Sequence, residues 1–64
     1  MFTNDYVIGI VEEYIDEAEY CDIPIPSGTE LCEDLSLYAK IAYGIESSVF
    51  DAIALGYLTE EGWL

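Results

Sequence analysis

Carboxylates are almost the only side chains in this sequence that suit acid–base or metal chemistry. Fourteen Asp and Glu residues stand against a single basic residue, Lys40, and the chain has no His, so the formal net charge is −13. Without His, no side chain has an unperturbed pKa suited to general acid–base catalysis near neutral pH. Paired carboxylates, as in glycosidases, need a surrounding cleft, which 64 residues hardly supply. We therefore predict that the protein is not an enzyme.

Two cysteines, Cys21 and Cys32, add thiols to this inventory. A nucleophilic thiol needs a nearby base or a positive field, and this chain offers the opposite. Structural zinc usually takes four Cys or His ligands, so two Cys without any His fall short unless carboxylates or a second subunit complete the shell. The loop pattern of an EF-hand calcium site is also absent. We predict no metal site and no cofactor, with the thiols reduced by default.

The sign of the charge restricts the partners and the location of the protein. A chain without a cationic patch cannot neutralise phosphates, so direct binding to DNA, RNA or an anionic membrane is not expected. Residues 1–5 carry no positive charge, and no apolar run approaches the length of a membrane span. We therefore expect a cytoplasmic protein, located in the host cell cytoplasm if it is encoded by a phage.

The composition predicts a folded chain despite its acidity. Apolar residues make up 53% of the sequence and aromatic residues 14%, far more than disordered acidic tails contain. A chain of 64 residues has room for one core. The apolar residues recur at helical spacing in three segments. We therefore predict an all-α fold in which residues 1–64 form a single acidic domain of three helices.

The first predicted helix, Asn4 to Tyr20, is amphipathic when its residues are placed about 100° apart around the axis. Thr3 or Asn4 is the expected N-cap. One side is apolar and carries Val7, Val11, Tyr14, Ile15 and Ala18, with Ile8 at its edge. The opposite side is acidic and carries Asp5, Glu12, Asp16 and Glu19, flanked by Glu13 and Glu17.

A connector at residues 21–28 breaks the helical pattern. Pro24 and Pro26 restrict themselves and the residues before them to extended conformations. Ile23 and Ile25 are therefore available to contact the core from this extended segment.

The second helix is predicted from Thr29 to Tyr43. Ser27 and Glu30 match a capping box, with Thr29 as an alternative N-cap. Gly44 is expected to end the helix as a C-terminal cap residue. The apolar residues at helical spacing are Leu31, Leu35, Tyr38, Ile41 and Ala42.

A third helix is predicted to begin at Ser47 or Ser48, either of which can serve as its N-cap. Residues 59–64 form either a short turn or a tail whose Trp63 folds back onto the core. The apolar stripe of this helix consists of Val49, Phe50, Ile53, Ala54, Tyr57 and Leu58.

The second and third helices could pack like a helix-turn-helix motif, joined by the turn at residues 44–48. Versions of this motif that read DNA place Arg, Lys, Asn or Gln on the second of their helices. This chain has Asp51, Ala52 and Leu55 there and no basic residue. Such an arrangement would therefore serve as a scaffold or as a dimer surface.

The acidic side of the first helix supplies the main functional hypothesis. Ordinary solvated helix faces alternate acidic with basic residues, because opposite charges at i and i+4 stabilise a helix and like charges destabilise it. A rigid row of carboxylates can instead imitate the phosphates of a nucleic acid and attract the basic cleft of a DNA- or RNA-binding protein. The predicted partner-binding residues are Glu12, Glu13, Asp16, Glu17, Glu19, Asp22, Glu30, Glu33 and Asp34.

Aromatic residues complete this hypothesis. Tyr6 and Tyr20, if exposed, could replace bases or sugars as flat amphipathic contacts. In character, though without any shared motif, the chain resembles the small acidic proteins with which phages and mobile elements inhibit host DNA-binding proteins, restriction enzymes or CRISPR nucleases. The expected partner is thus a basic nucleic-acid-binding protein of the host or of the phage.

An alternative function comes from the apolar content. Nine aromatic residues exceed what one small core needs, so an apolar patch could join the chain to another protein while the acidity serves only solubility. On this interpretation the protein is an adaptor or interaction module, and mutations at Tyr57, Trp63 or Leu64 would abolish binding. A homodimer is compatible with both interpretations.

Overall fold

The computed structural model describes residues 3–64 of the chain. Three α helices follow one another: α1 at Asn4–Tyr20, α2 at Thr29–Tyr43 and α3 at Ser48–Glu60. The predicted three-helix, all-α fold is therefore confirmed, and no strand occurs among the described residues. The radius of gyration is 10.8 Å, which matches the value of about 11 Å for a compact chain of this length.

Each helix packs against both others, and together they enclose one apolar core. Among residues 3–64 no polar or charged side chain is buried, so all fourteen carboxylates are exposed. No helix in this part of the chain is both long enough and apolar enough to cross a membrane. The buried core residues are Val7, Ile10, Val11, Ile15, Leu31, Leu35, Ala39, Ile45, Phe50, Ala54 and Leu58.

The buried side of α2 differs from the predicted one. Ala39 is fully buried, whereas Ile41 is 76% exposed and Ala42 is also exposed. The buried positions of α2 are spaced by four residues, at Leu31, Leu35 and Ala39. Because Ile41 lies two residues beyond Ala39, its side chain points about 200° away from the buried stripe. The prediction for α1 also needs a correction. Ile10 is buried, although it was not among the residues predicted for the apolar side of this helix.

The N-terminal ends of the helices confirm some predicted caps and contradict another. Thr3 Oγ1 accepts a hydrogen bond from the Tyr6 amide at 3.2 Å, and Ser47 Oγ accepts one from the Val49 amide at 3.1 Å. The capping box predicted at residues 27–30 is wrong, because Gly28 is the N-cap of α2 and no side chain caps that helix. Since Gly28 takes the N-cap position with a φ of 64°, the serine before it lies outside the helix.

All three helices end with a residue in the left-handed conformation. Gly44 has a φ of 69° and confirms the predicted C-terminal cap of α2, and Gly62 has a φ of 83° after α3. Asp22 takes the same role after α1 with a φ of 59°, although it is not a glycine. The amide of Ile23 then donates to the Ala18 carbonyl at 2.8 Å, as in a Schellman motif.

The turn after α3 returns the end of the described chain to the core. The amide of Trp63 donates to the carbonyl of Leu58 at 3.0 Å, and the indole packs against the core residues. Of the two alternatives predicted for residues 59–64, the one in which Trp63 folds back onto the core is therefore confirmed. From the connector between α1 and α2, Ile25 packs against the core, whereas Ile23 is 57% exposed.

We predict that Asp22→Gly stabilises the domain. A side chain in the left-handed conformation is strained, and glycine removes this strain at some cost in unfolded-state entropy. Asp22→Asn is the matched control, because it removes the same charge and keeps the Cβ atom. Urea unfolding monitored by circular dichroism measures the difference. The free energy of unfolding of the glycine variant should exceed that of the asparagine variant by about 0.5 to 1 kcal/mol. Equal stabilities would show that no strain is stored at this position.

Candidate partner-binding surface

The exposed side of α1 forms a shallow depression with acidic walls. Its side chains are Glu12, Glu13, Asp16 and Glu17, which we call the α1 acidic face, together with Tyr20. These carboxylates belong to successive turns of one helix, so residues three or four apart are neighbours at about 5–6 Å between their Cβ atoms. Gly9 contributes no side chain to the depression and leaves it open.

Two tyrosines of α2 hold one edge of the α1 acidic face. The Tyr43 hydroxyl donates a hydrogen bond to Glu13 Oε2, and the Tyr38 hydroxyl donates a longer one, of 3.4 Å, to Glu17 Oε2. Glu17 follows Glu13 in α1, but its partner Tyr38 precedes Tyr43 in α2. This reversed order is what two antiparallel helices require. Both carboxylates stay exposed, but they are fixed in position by the neighbouring helix.

The tyrosine rings connect this edge to the core. Tyr14 and Tyr38 meet edge to face with ring centroids 5.4 Å apart, and Tyr38 meets Tyr43 in the same way at 6.3 Å. Tyr14 and Tyr38 also pack against the buried core residues. Edge-to-face pairs of this kind favour one ring arrangement over others. The orientation of the Glu13 and Glu17 carboxylates is therefore coupled to the packing of α1 against α2.

The carboxylates perturb the tyrosines beside them. Burial, followed by the charges of Glu13 and Glu17, raises the pKa of Tyr38 to about 12. The hydrogen bond to Glu13 is the largest cause that raises the pKa of Tyr43. Each hydroxyl therefore keeps its proton at neutral pH and stays a hydrogen-bond donor, because ionisation would place a second negative charge beside the carboxylate.

Carboxylates also act on tyrosines of neighbouring helices. Burial and the charge of Asp34 in α2 raise the pKa of Tyr14 in α1. Burial and the charges of Glu12 and Glu61 raise the pKa of Tyr57 in α3. The charge of Asp34 thus acts across the contact between α1 and α2, and the charge of Glu12 acts across the contact between α1 and α3.

The structure does not bring all the predicted site residues together. Glu19 and Asp22 line a separate depression at the C-terminal end of α1. Glu33 lies in a groove between α2 and α3, and Glu30 is exposed in the first turn of α2. The α1 acidic face therefore unites four of the nine predicted residues.

The predicted exposure of two tyrosines is confirmed, and two other tyrosines were missed as part of the surface. Tyr6 is 47% exposed, and Tyr20 is 91% exposed at the edge of the α1 acidic face. Sequence periodicity assigned Tyr38 only to the apolar side of α2 and gave Tyr43 no role. The available signal was the short connector, which makes α1 and α2 antiparallel and brings the end of α2 beside the middle of α1.

The single basic side chain lies outside the α1 acidic face. Lys40 pairs with Glu46 at 3.7 Å, and both side chains are largely exposed. Lys40 lines the groove between α2 and α3 and is absent from the lining of the acidic depression. Because the chain has no other Lys and no Arg, no basic side chain offsets the charges of Glu12, Glu13, Asp16 and Glu17.

Among residues 3–64 the structure gathers no set of metal ligands and joins no cysteines by a disulfide. Within residues 3–64, no three Cys, Asp or Glu side chains converge in a way that could hold a metal ion. Cys21 and Cys32 are free thiols, the first exposed and the second partly exposed. What the arrangement offers is an open, shallow surface of negative charge with one flat aromatic ring at its edge.

No protein-family model matches this chain, and neither a curated protein nor a solved structure matches it. Fold and surface therefore define its class: a three-helix domain with exposed carboxylates on every helix.

The titration of the tyrosines can be monitored through the absorbance of tyrosinate. We predict that Tyr38→Phe removes the most alkaline step from this titration. The folded pKa of about 12 lies above the unfolded value of about 10. Tyr38 thus contributes fully to stability at pH values below its pKa in the unfolded chain. This contribution is lost as the pH rises through its pKa in the folded protein. Tyr20→Phe is the control and should leave the step in place. A step that survives Tyr38→Phe would contradict this assignment.

Proposed function

We propose that this protein is an acidic binding protein that acts as a nucleic-acid mimic. It occupies the basic cleft of a DNA- or RNA-binding protein or nuclease and thereby inhibits it. The observation that supports this proposal is the α1 acidic face, where four carboxylates share one exposed side of a helix without any basic side chain among them. A cleft built for phosphates presents Lys and Arg side chains at comparable spacing, so the two surfaces are complementary.

The energetic cost of the α1 acidic face favours a functional role for it. Each like-charged pair at i and i+4, such as Glu12 with Asp16, destabilises a helix by about 0.2 to 0.5 kcal/mol. Solubility alone requires a net charge of only about 2 to 8 in magnitude, and this chain carries −13. A cationic partner converts this repulsion into attraction when it binds.

Fixed carboxylates suit a mimic better than mobile ones. Tyr43 and Tyr38 hold Glu13 and Glu17 by hydrogen bonds in the free protein. Side chains that are ordered before binding lose less conformational entropy when the partner arrives. Tyr20 adds a ring that is 91% exposed and can stack against the partner as a base would.

A second candidate function, an interaction module that binds through apolar residues, is favoured by a different part of the surface. Tyr57 and Trp63 are partly buried against the core, and Leu64 is 42% exposed. Leu37 and Leu55 are about half exposed, on α2 and α3 respectively. These two leucines favour the α2–α3 side of the molecule for an apolar contact.

We predict that Asp16→Lys stabilises the free protein and abolishes capture of its partners. Asp16 repels Glu12, Glu13 and Glu19 at i−4, i−3 and i+3, and a cation there converts each repulsion into an attraction. The free energy of unfolding should rise by roughly 1 kcal/mol. In pull-downs from cell extract, the wild-type protein should capture nucleic-acid-binding proteins at low salt and release them at high salt or when duplex DNA or RNA is added.

The control for this prediction is Glu60→Lys. It changes the net charge equally, but Glu60 lies in the last turn of α3 rather than on the α1 acidic face. Capture should persist in this variant if the acidic face is the binding surface. Proteins that stay bound at high salt and in the presence of excess nucleic acid would contradict mimicry, as would equal loss of capture in both variants.

A further inference from the structure

A second concave surface runs between α2 and α3. Two adjoining depressions share Glu33, Ser36 and Asp51 and therefore form one continuous groove, which we call the α2–α3 groove. Leu37 lines one depression and Leu55 the other. No residue of α1 lines either depression, so the groove and the α1 acidic face are separate surfaces.

Small side chains and leucines both line the groove. Ser36 and Ala52 leave room between the two helices, while Leu37 is 55% exposed and Leu55 is 48% exposed. Along α2 the groove extends from Cys32 to Lys40, which corresponds to about 12 Å or two helical turns. These dimensions suit a short helix whose apolar side faces the groove.

The charges around the groove determine which helix would fit. Glu33, Asp51 and Glu46 line it, and its one cation, Lys40, is paired with Glu46 at 3.7 Å. A second copy of this chain would bring another net charge of −13 to the same surface and would be repelled. An anionic or neutral partner would leave Glu33 and Asp51 without complementary charge.

We propose that the α2–α3 groove is a docking site for a cationic amphipathic helix of a partner protein. The apolar residues of that helix, spaced at i, i+3 or i+4 and i+7, contact Leu37 and Leu55. Its Lys or Arg residues contact Glu33 and Asp51 at the rim. The docked helix packs across α2 and α3 as a fourth helix and covers the exposed leucines. This proposal does not depend on mimicry by the α1 acidic face.

The two cysteines allow a direct test. Cys32 lies in the α2–α3 groove, whereas Cys21 is exposed at the end of α1. The probe is a synthetic peptide of Leu and Lys at helical spacing, and its controls are a scrambled peptide of the same composition and a Leu–Glu version. Alkylation of each thiol is followed by mass spectrometry. The Leu–Lys peptide should slow alkylation of Cys32 roughly tenfold and leave Cys21 unchanged, and neither control peptide should protect Cys32.

Matched variants separate docking from general attraction to an acidic protein. Leu55→Asp should abolish the protection of Cys32, while Ile41→Asp should retain it, because Ile41 is exposed on α2 outside the groove. Leu55→Ser serves as a second variant if circular dichroism shows that Leu55→Asp does not fold. Asp16→Lys should also retain the protection, even where it abolishes capture by the α1 acidic face.

The proposal is overturned if the Leu–Lys peptide protects neither thiol in the wild-type protein. Equal protection of Cys21 and Cys32 also overturns it, because the peptide would then be coating the negative surface without a preferred site. Protection of Cys32 that persists in the folded Leu55 variants excludes the groove as the docking site.

Discussion

The packing of one apolar stripe from each helix into a common core holds every other feature of this protein in place. This packing must overcome the mutual repulsion of fourteen carboxylates with only Lys40 to offset them. Because no polar or charged side chain is buried among residues 3–64, the core contains no ion pair that could be broken. The repulsion is therefore confined to the solvated surface, where water and salt screen it most effectively.

The contact between α1 and α2 joins this core to the surface charge. Tyr14 and Tyr38 pack on core residues with their rings, and the hydroxyl of Tyr38 reaches Glu17. Tyr43 continues the ring contacts outward and donates to Glu13. A substitution of either glutamate thus changes helix packing as well as charge. Asp16, with no such hydrogen bond to a neighbouring helix, separates the two effects more cleanly.

The sequence was sufficient for the features that depend on local chemistry. Helical periodicity predicted the three helices, and the preference of glycine for positive φ predicted the end of α2 at Gly44. The same local rules failed for features that depend on contacts between helices. Periodicity counted Ile41 as apolar and therefore inward, although only the neighbouring helices determine which side of α2 they cover. Asp22 carries only a weak local signal for a left-handed residue, because glycine is the residue that most often takes this position.

The candidate surfaces follow the same division. The α1 acidic face could be predicted because Glu12, Glu13, Asp16 and Glu17 belong to one helix, and a single helix fixes its own spacing. The α2–α3 groove could not, because it exists only where two helices meet. If each surface binds a partner, the two binding events need not exclude each other, since no residue lines both. Two partners, or two parts of one partner, could then be held at once, and the second contact would profit from the high effective concentration that the first creates.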